Sequence, residues 1–467
     1  MTEWIGAAEA AERLGIKPAS LYAYVSRGVL ARQQEPGGRG SLYDAREIAR
    51  LARKGRPRRA PAGAELVIET AVTELTPEHL RYRGHDVMEL AIERSFEEVA
   101  LLLWGGDPNA EAGGWQATPA ALAVGRAAQA ALPSRILPLE RLQVIVPALA
   151  ATDPLRLQLE QPAVIAAGRA LIAGMVDCLP PPPAGAAPPA PADTAPPEGP
   201  AAADTAPPEG PAAAAERHER AVTAARATAT ARSCRTPGPE PEAGTRPAEA
   251  GGRPAGSIAG RLARALSPAP PPPGLARVVQ TALVLLADHE LAASTLAARV
   301  AASVRADPYA VVATGLGAVG GALHGGASLA AETMLGLAAE PADAPRVVGD
   351  LLRRGQRITG FGHFAYPAGD PRSVLLMRVL QEYAPASPRL AVASAVVAEA
   401  RRRALPEPNV DFALAALASV AGLVPGAGEA IFAVARAAGW IAHALEEYDR
   451  HAPIRPRGVY TGPAAPG

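Results

Sequence analysis

Between residues 180 and 256 the only branched aliphatic, methionine or aromatic side chain is Val222, and a stretch so poor in apolar surface cannot bury a core of its own. It opens on Pro180 to Pro183 and carries a near-perfect repeat. Ala192-Asp-Thr-Ala-Pro-Pro-Glu-Gly-Pro200 is followed by Ala203-Asp-Thr-Ala-Pro-Pro-Glu-Gly-Pro211, the grammar of solvated low-complexity sequence. The expectation is a disordered Pro/Ala-rich insertion at 180–256, in which the patch 214–232 is a transient helix or a plain spacer. Any fold must be assembled from the sequence on both sides of it. With 467 residues, 49% of them hydrophobic, the remainder suffices for at least one large core.

A second break, Lys54-Gly-Arg-Pro-Arg-Arg-Ala-Pro-Ala-Gly-Ala64, is basic and rich in Pro and Gly, as linkers are. It separates a domain at 1–53 from a sequence whose apolar residues recur at helical spacing almost throughout, as in 86–104, 275–287, 292–304 and 412–423. Strand-like alternation is scarce. The expected fold is all-α, built of many medium helices in a first part at 65–179 and a second at 257–467.

Charge balances over the whole chain, 46 Lys+Arg against 46 Asp+Glu, so no global field points to nucleic acid or membrane. Two cysteines, Cys178 and Cys234, exclude a disulfide framework or a cysteine-built zinc site and suit a reducing compartment. No apolar signal core or membrane-length span is evident, so a cytoplasmic protein with no membrane partner is expected.

The local charge is uneven: residues 1–59 hold twelve Lys/Arg against six Asp/Glu. There, 7–14 reads as a short amphipathic helix, Gly15-Ile16-Lys17-Pro18 as a turn, and 19–27 as a second helix ended by Gly28. The stretch from Glu9 to Arg27 resembles the MerR/excisionase-like helix-turn-helix family, with Gln33 to Tyr43 as its wing. That resemblance implies Ser20, Tyr22, Tyr24 and Arg27 facing a DNA groove, with Arg32, Arg39 and the linker arginines on phosphates. A docking or dimerisation module would use the same pattern, and DNA stays an open partner.

Three of the eight histidines stand in acid-flanked or Gly-rich settings: Ala287-Asp288-His289-Glu290, Gly321-Ala322-Leu323-His324-Gly325-Gly326-Ala327 and Gly360-Phe361-Gly362-His363. Glycines let backbone and ligand approach an imidazole closely. Asp370-Pro371-Arg372 and Pro408-Asn409-Val410-Asp411 follow. At the mouth of an apolar helix, Asp411 is either a base tuned by burial or an ordinary N-cap.

These blocks resemble the citrate synthase family. Joined by Leu80 to Gly84, Ser95 to Gly105, Ala298-Arg299, Ala433 to Arg436, Arg455-Pro456 and Tyr460 to Pro463, they occur in the family's order from about residue 64 onward. The resemblance implies large and small helical domains, the small one within about 325–435, closing over substrate in a homodimer. It implies acetyl-CoA and oxaloacetate as substrates and no metal or other cofactor. By the same resemblance Asp411 is the base toward the acetyl methyl group, His324 the donor to the thioester oxygen, and His363 the group that polarises the ketone and protonates the alkoxide. His289, Arg372, Arg436 and Arg455 fall on the positions that hold the dicarboxylate, and Gly360, Phe361 and Gly362 on the coenzyme A segment.

The chain also departs from the family. Where a pattern like Gly-His-Arg-Val-Tyr-Lys is usual, it has Gly362-His363-Phe364-Ala365-Tyr366-Pro367, two cations fewer near the coenzyme A path. Ala413-Leu414 replaces the usual Tyr-Ser after the aspartate. The rivals are therefore 2-methylcitrate synthesis from propionyl-CoA, citryl-CoA cleavage, and a transcription regulator that senses an organic acid or acyl-CoA.

Overall fold

Helices end where the sequence supplies a cap, and Ser95 shows how. A single helical stretch over 86–104 is expected from the pattern, yet it is cut in two because Ser95 and Glu98 form a capping box. The Ser95 hydroxyl accepts from the Glu98 N–H at 3.2 Å, and the Glu98 carboxylate accepts from the Ser95 N–H at 2.6 Å. The computed structural model describes residues 4–14, 30, 32–34, 41–45, 48, 67–106, 114–181, 256–321, 324–458, 460 and 462. They divide into two units, 1–69 and 70–467.

In the first unit β1 (Trp4–Gly6) leads into α1 (Ala7–Leu14), and β2 (Arg32–Gln34) and β3 (Ser41–Asp44) follow. The antiparallel sheet has the order β1-β3-β2, with Ile5 opposite Tyr43 and Gln33 opposite Leu42. Ile5, Ala10, Ala11, Leu30, Tyr43, Ala45 and Ile48 make its core. Helix α1 coincides with the first expected helix, and β2 and β3 fall at the two ends of the expected wing. Ser20, Tyr22, Tyr24, Arg27 and Arg39, and the second expected helix, lie outside the described residues.

The second unit starts with a meander, β4 (Thr73–Leu75), β5 (Leu80–Tyr82) and β6 (His85–Asp86). The part after the linker is thus mainly helical as expected, and its all-α description needs one correction among the described residues, this small antiparallel sheet, whose strands of two or three residues are too short for alternation to show in sequence. Helices α2 (Val87–Glu93), α3 (Phe96–Leu103), α4 (Pro119–Ala127), α5 (Pro138–Ala150) and α6 (Gln161–Asp177) come next. The chain resumes at α7 (Ile258–Leu266), which packs directly on α6. The low-complexity residues 182–255 between them lie outside the described residues.

The rest is α8 (Leu275–Leu286), α9 (Ala293–Ser303), α10 (Pro308–Val319), α11 (Gly326–Gly336), α12 (Ala344–Arg353), α13 (Pro371–Tyr383), α14 (Pro388–Arg402), α15 (Val410–Ala421) and α16 (Ala427–Arg450). Apolar on nearly every side, α16 is the buried axis against which α3, α5, α6 and α8 to α11 pack. Its Trp440 lies against α10 at Gly315, where a Cβ would come within 2.5 Å of the indole, so only glycine leaves room.

A buried polar chain fixes the end of α8 to α16. Arg299 donates to Glu447 at 2.7 Å and to Glu446 at 2.7 Å, and lies 2.6 Å from His443 Nδ1. His443 Nε2 is 3.3 Å from the Asp288 carboxylate, which also accepts from the Thr73 hydroxyl at 2.6 Å. Each charge meets a partner, which is what makes ionised groups tolerable at this depth.

Candidate active site

Asp288, held from β4 and α16, precedes His289 and so fixes where that ring can go. Tyr82 adds to the grip, donating its hydroxyl to the Asp288 carbonyl at 2.9 Å. His289 is buried, with Nε2 3.1 Å from the Tyr366 hydroxyl and its ring centroid 5.2 Å from that of His363, edge to face. Tyr366 packs on His363 at 5.1 Å, and the Arg372 guanidinium carbon lies 5.3 Å from the centre of the tyrosine ring. Arg372 is itself buried, and Asp370 receives its Nε at 3.0 Å and Nη2 at 2.8 Å. Asp370 takes two of the five N–H donors of Arg372, which leaves the Nη1 group and the second Nη2–H without a hydrogen-bond partner among the described residues.

The histidine loop and the aspartate helix are joined by backbone. Gly362 N–H donates to the Glu407 carbonyl at 2.8 Å, and Asn409 N–H to the Gly360 carbonyl at 2.8 Å, around an isolated bridge between Phe361 and Pro408. Gly360 has φ +83°, and a Cβ there would come within 2.9 Å of Phe412, so both conformation and space demand glycine. Phe361 packs edge-on against Phe412 at 5.0 Å. These residues of the expected coenzyme A segment therefore act here as the clasp between the two loops.

The N-cap reading of Asp411 is corrected by this geometry. Asn409 is the cap, its side-chain oxygen accepting from the N–H of Asp411 at 3.0 Å and of Phe412 at 3.4 Å. The Asp411 carboxylate is thereby left free of capping. Burial pushes its pKa up to about 6, with Arg372 and Arg436 pulling down and Asp370 pushing up.

His324 follows α10, with Nε2 2.8 Å from the hydroxyl of the buried Ser294 and its ring 5.8 Å from Phe432. Burial, then Arg436, pushes it down to about 4; burial and Arg372 do the same to His363. His289 lies well below the ordinary imidazole range through burial and the fields of Arg372 and Arg436. Arg436 is buried, donates Nε to the Leu286 carbonyl at 2.8 Å, and sits 4.6 Å over the Phe432 ring. Among the described residues its Nη1 and Nη2 take no hydrogen-bond partner. The sequence-derived residues His289, His324, His363, Arg372, Arg436 and Asp411 thus converge, while Arg455 lies on the exposed segment after α16.

This arrangement has a definite chemical capacity. Three imidazoles are neutral at pH 7, and each offers one N–H donor and one acceptor nitrogen without carrying charge. One carboxylate has the raised pKa that strengthens a base, and two buried guanidiniums favour an anion. No group of three or more His, Cys, Asp or Glu is placed to hold a metal among the described residues. Sequence reasoning missed three contributors: Tyr366 between the two histidines, Asp370 behind Arg372, and Ser294 on His324. The Asp-Pro-Arg spacing was a signal for Asp370; nothing local marks Ser294.

The citrate synthase C-terminal domain family matches residues 63–179 and 199–457. Citrate synthase 2 of Bacillus subtilis is 38% identical over 189 residues, 39% of this chain and 50% of the relative. The citrate synthase of Haloferax volcanii is 40% identical over 192 residues, 40% of this chain and 51% of the relative. In these alignments the chain spans about half the length of the relatives it matches. The crystal structure of citrate synthase from Pyrobaculum aerophilum superposes with a TM-score of 0.61 at 25% identity, covering 94% of this chain and 96% of that one. With the family match running through most of the sequence and the helical architecture shared, the chain belongs to the citrate synthase family.

Proposed function

We propose that this chain condenses acetyl-CoA with oxaloacetate and hydrolyses the resulting citryl thioester to citrate and CoA. The observation that carries the reading is Asp411, a carboxylate released from helix capping by Asn409 and raised to about pKa 6 in a site with two buried guanidiniums. It removes a proton from the acetyl methyl group while His324 donates to the thioester oxygen, so no free enolate has to form. The enol carbon then attacks the ketone of oxaloacetate, and His363 supplies the proton for the new alkoxide. Arg436 and the remaining N–H donors of Arg372 hold the carboxylates, with His289 at the same ligand. Water completes the cycle by cleaving the thioester. A thiol-release assay with acetyl-CoA and with propionyl-CoA, each with and without oxaloacetate, is the test. Release that requires acetyl-CoA and oxaloacetate together supports the reading; propionyl-CoA preference would assign 2-methylcitrate synthesis, and conversion of citryl-CoA to acetyl-CoA and oxaloacetate without thiol release would favour the lyase reading.

The proposal extends to organisation. On this reading residues 1–53 are a helix-turn-helix domain, 54–64 a linker, and 65–179 and 257–467 the catalytic parts with the small domain within about 325–435, while the low-complexity residues 182–255 lie outside the described residues. The protein acts as a cytoplasmic homodimer in which Arg455 serves the partner subunit's site. The basic excess of residues 1–59 supports a second reading, an organic-acid or acyl-CoA sensor that binds DNA. Gel shifts over a salt series test it, with no retardation at low salt favouring a docking module.

A further inference from the structure

Tyr366 stands at the centre of the site without a place in the reaction above. It is 2% exposed, its hydroxyl 3.1 Å from His289 Nε2, its ring 5.1 Å from His363 and the Arg372 guanidinium 5.3 Å away. Among the described residues His289 is the hydroxyl's only hydrogen-bond partner. A neutral imidazole has one N–H and one lone pair, and which nitrogen carries the proton is set by what the other one faces. If Nε2–H donated to the phenol oxygen, the phenol proton would be buried without an acceptor and the lone pair of Nδ1 would be what the ring offers an anion. Both consequences are costly. With the phenol donating to Nε2, the hydroxyl is satisfied and Nδ1–H remains as a donor. Burial keeps the phenol protonated by pushing its pKa up to about 12, consistent with that direction.

We propose that Tyr366 is a positioning residue that donates its hydroxyl proton to His289 Nε2, fixes His289 as the Nδ1–H tautomer, and wedges its ring between the histidine pair and Arg372, so that a keto dicarboxylate meets an N–H donor. The inference rests on the substrate reading above for its kinetic arm alone. Its first test is independent of activity: two-bond proton–nitrogen correlation spectra of ring-¹⁵N-histidine protein, with His289 assigned from His289→Gln. The wild-type spectrum is expected to show a protonated Nδ1 and an unprotonated Nε2 at His289, and Tyr366→Phe a mixed or inverted pair. A wild-type His289 with Nε2–H, or one whose tautomer is unmoved in Tyr366→Phe, overturns the proposal. Should Tyr366→Phe fail to fold, 3-fluorotyrosine in place of tyrosine keeps the shape and acidifies the donor; an unchanged His289 Nε2 shift would be equally fatal. In kinetics, Tyr366→Phe should raise KM for oxaloacetate about 3- to 10-fold, with kcat falling less, as expected for one neutral hydrogen bond. The same change in a His289→Gln background should add nothing. Absence of thiol release from the wild type would sink the proposed function, while the tautomer spectra would still decide the role of Tyr366.

Discussion

The Asp370 carboxylate accepts a hydrogen bond from the Val410 N–H at 3.0 Å while it grips Arg372 with both oxygens. One buried side chain thereby ties the arginine that follows the histidine loop to the first residue of the helix that carries Asp411. Burial alone would raise the pKa of Asp370, but the Arg372 guanidinium overcomes it and the group lies below its ordinary 3.8. A depressed carboxylate contributes stability above its unfolded pKa and loses it as pH falls through the folded one, so this contribution is complete near neutrality and fails only below about pH 4.

Replacing Asp370 by Asn should therefore cost about 3–5 kcal/mol at pH 7, because it leaves Arg372 buried and unpaired. Urea unfolding measures it. The difference from wild type should shrink as pH drops below 4, and a loss under about 1 kcal/mol would show that Arg372 finds other company.

Asp411 runs the opposite way. Its pKa is raised from 3.8 to about 6, so the folded state favours the protonated form and the ionised carboxylate destabilises the fold as pH rises through that window. On the proposed function the base must be ionised to work, so kcat/KM should climb with unit slope through about pH 6 and then level, the neutral forms of His324 and His363 being in place above about pH 4. Asp411→Asn should lower turnover by about 10² to 10⁴ and yet raise the melting temperature at pH 8. Calorimetry beside thiol release reads both, and a variant that is dead but less stable would recast Asp411 as a structural residue.

Legibility followed distance along the chain. His324, His363 and Asp411 stand in motifs whose order survives on the sequence, and α8, α9 and α15 begin within two residues of where periodicity puts them. By contrast, Tyr366 matters because a tertiary fold brings His289 over it from 77 residues away, and Ser294 because it meets His324 across 30. Short strands such as His85–Asp86 have no periodicity to read, and the Asn409 cap was hidden by the more acidic Asp411 two positions on.

Phe364 is 85% exposed and stacks on His363 at 4.8 Å, an aromatic at a position where the family carries a cation. Coenzyme A is polyanionic, so Phe364→Arg should lower KM for acetyl-CoA about 2- to 5-fold, the worth of one solvent-exposed ion contact. Initial rates at saturating oxaloacetate, repeated at high salt, check it. The gain should vanish with added salt, since screening removes exposed charge contacts. An unchanged or higher KM would mean that the acyl carrier does not pass this loop.

Arg455 lies on the exposed 451–458 segment beyond the end of α16. If each site takes this arginine from the partner subunit, the defects of Arg455→Ala and Asp411→Asn sit in different chains of the same site. Mixing the two variants then produces heterodimers in which one site carries both lesions and the other neither. Random re-association makes about half of the dimers mixed, each with one intact site, so about a quarter of wild-type activity should return from two nearly inactive parents. Native mass spectrometry establishes that heterodimers formed, and thiol release gives the activity. Mixed dimers as inactive as their parents would place Arg455 in its own subunit's site or outside the reaction altogether.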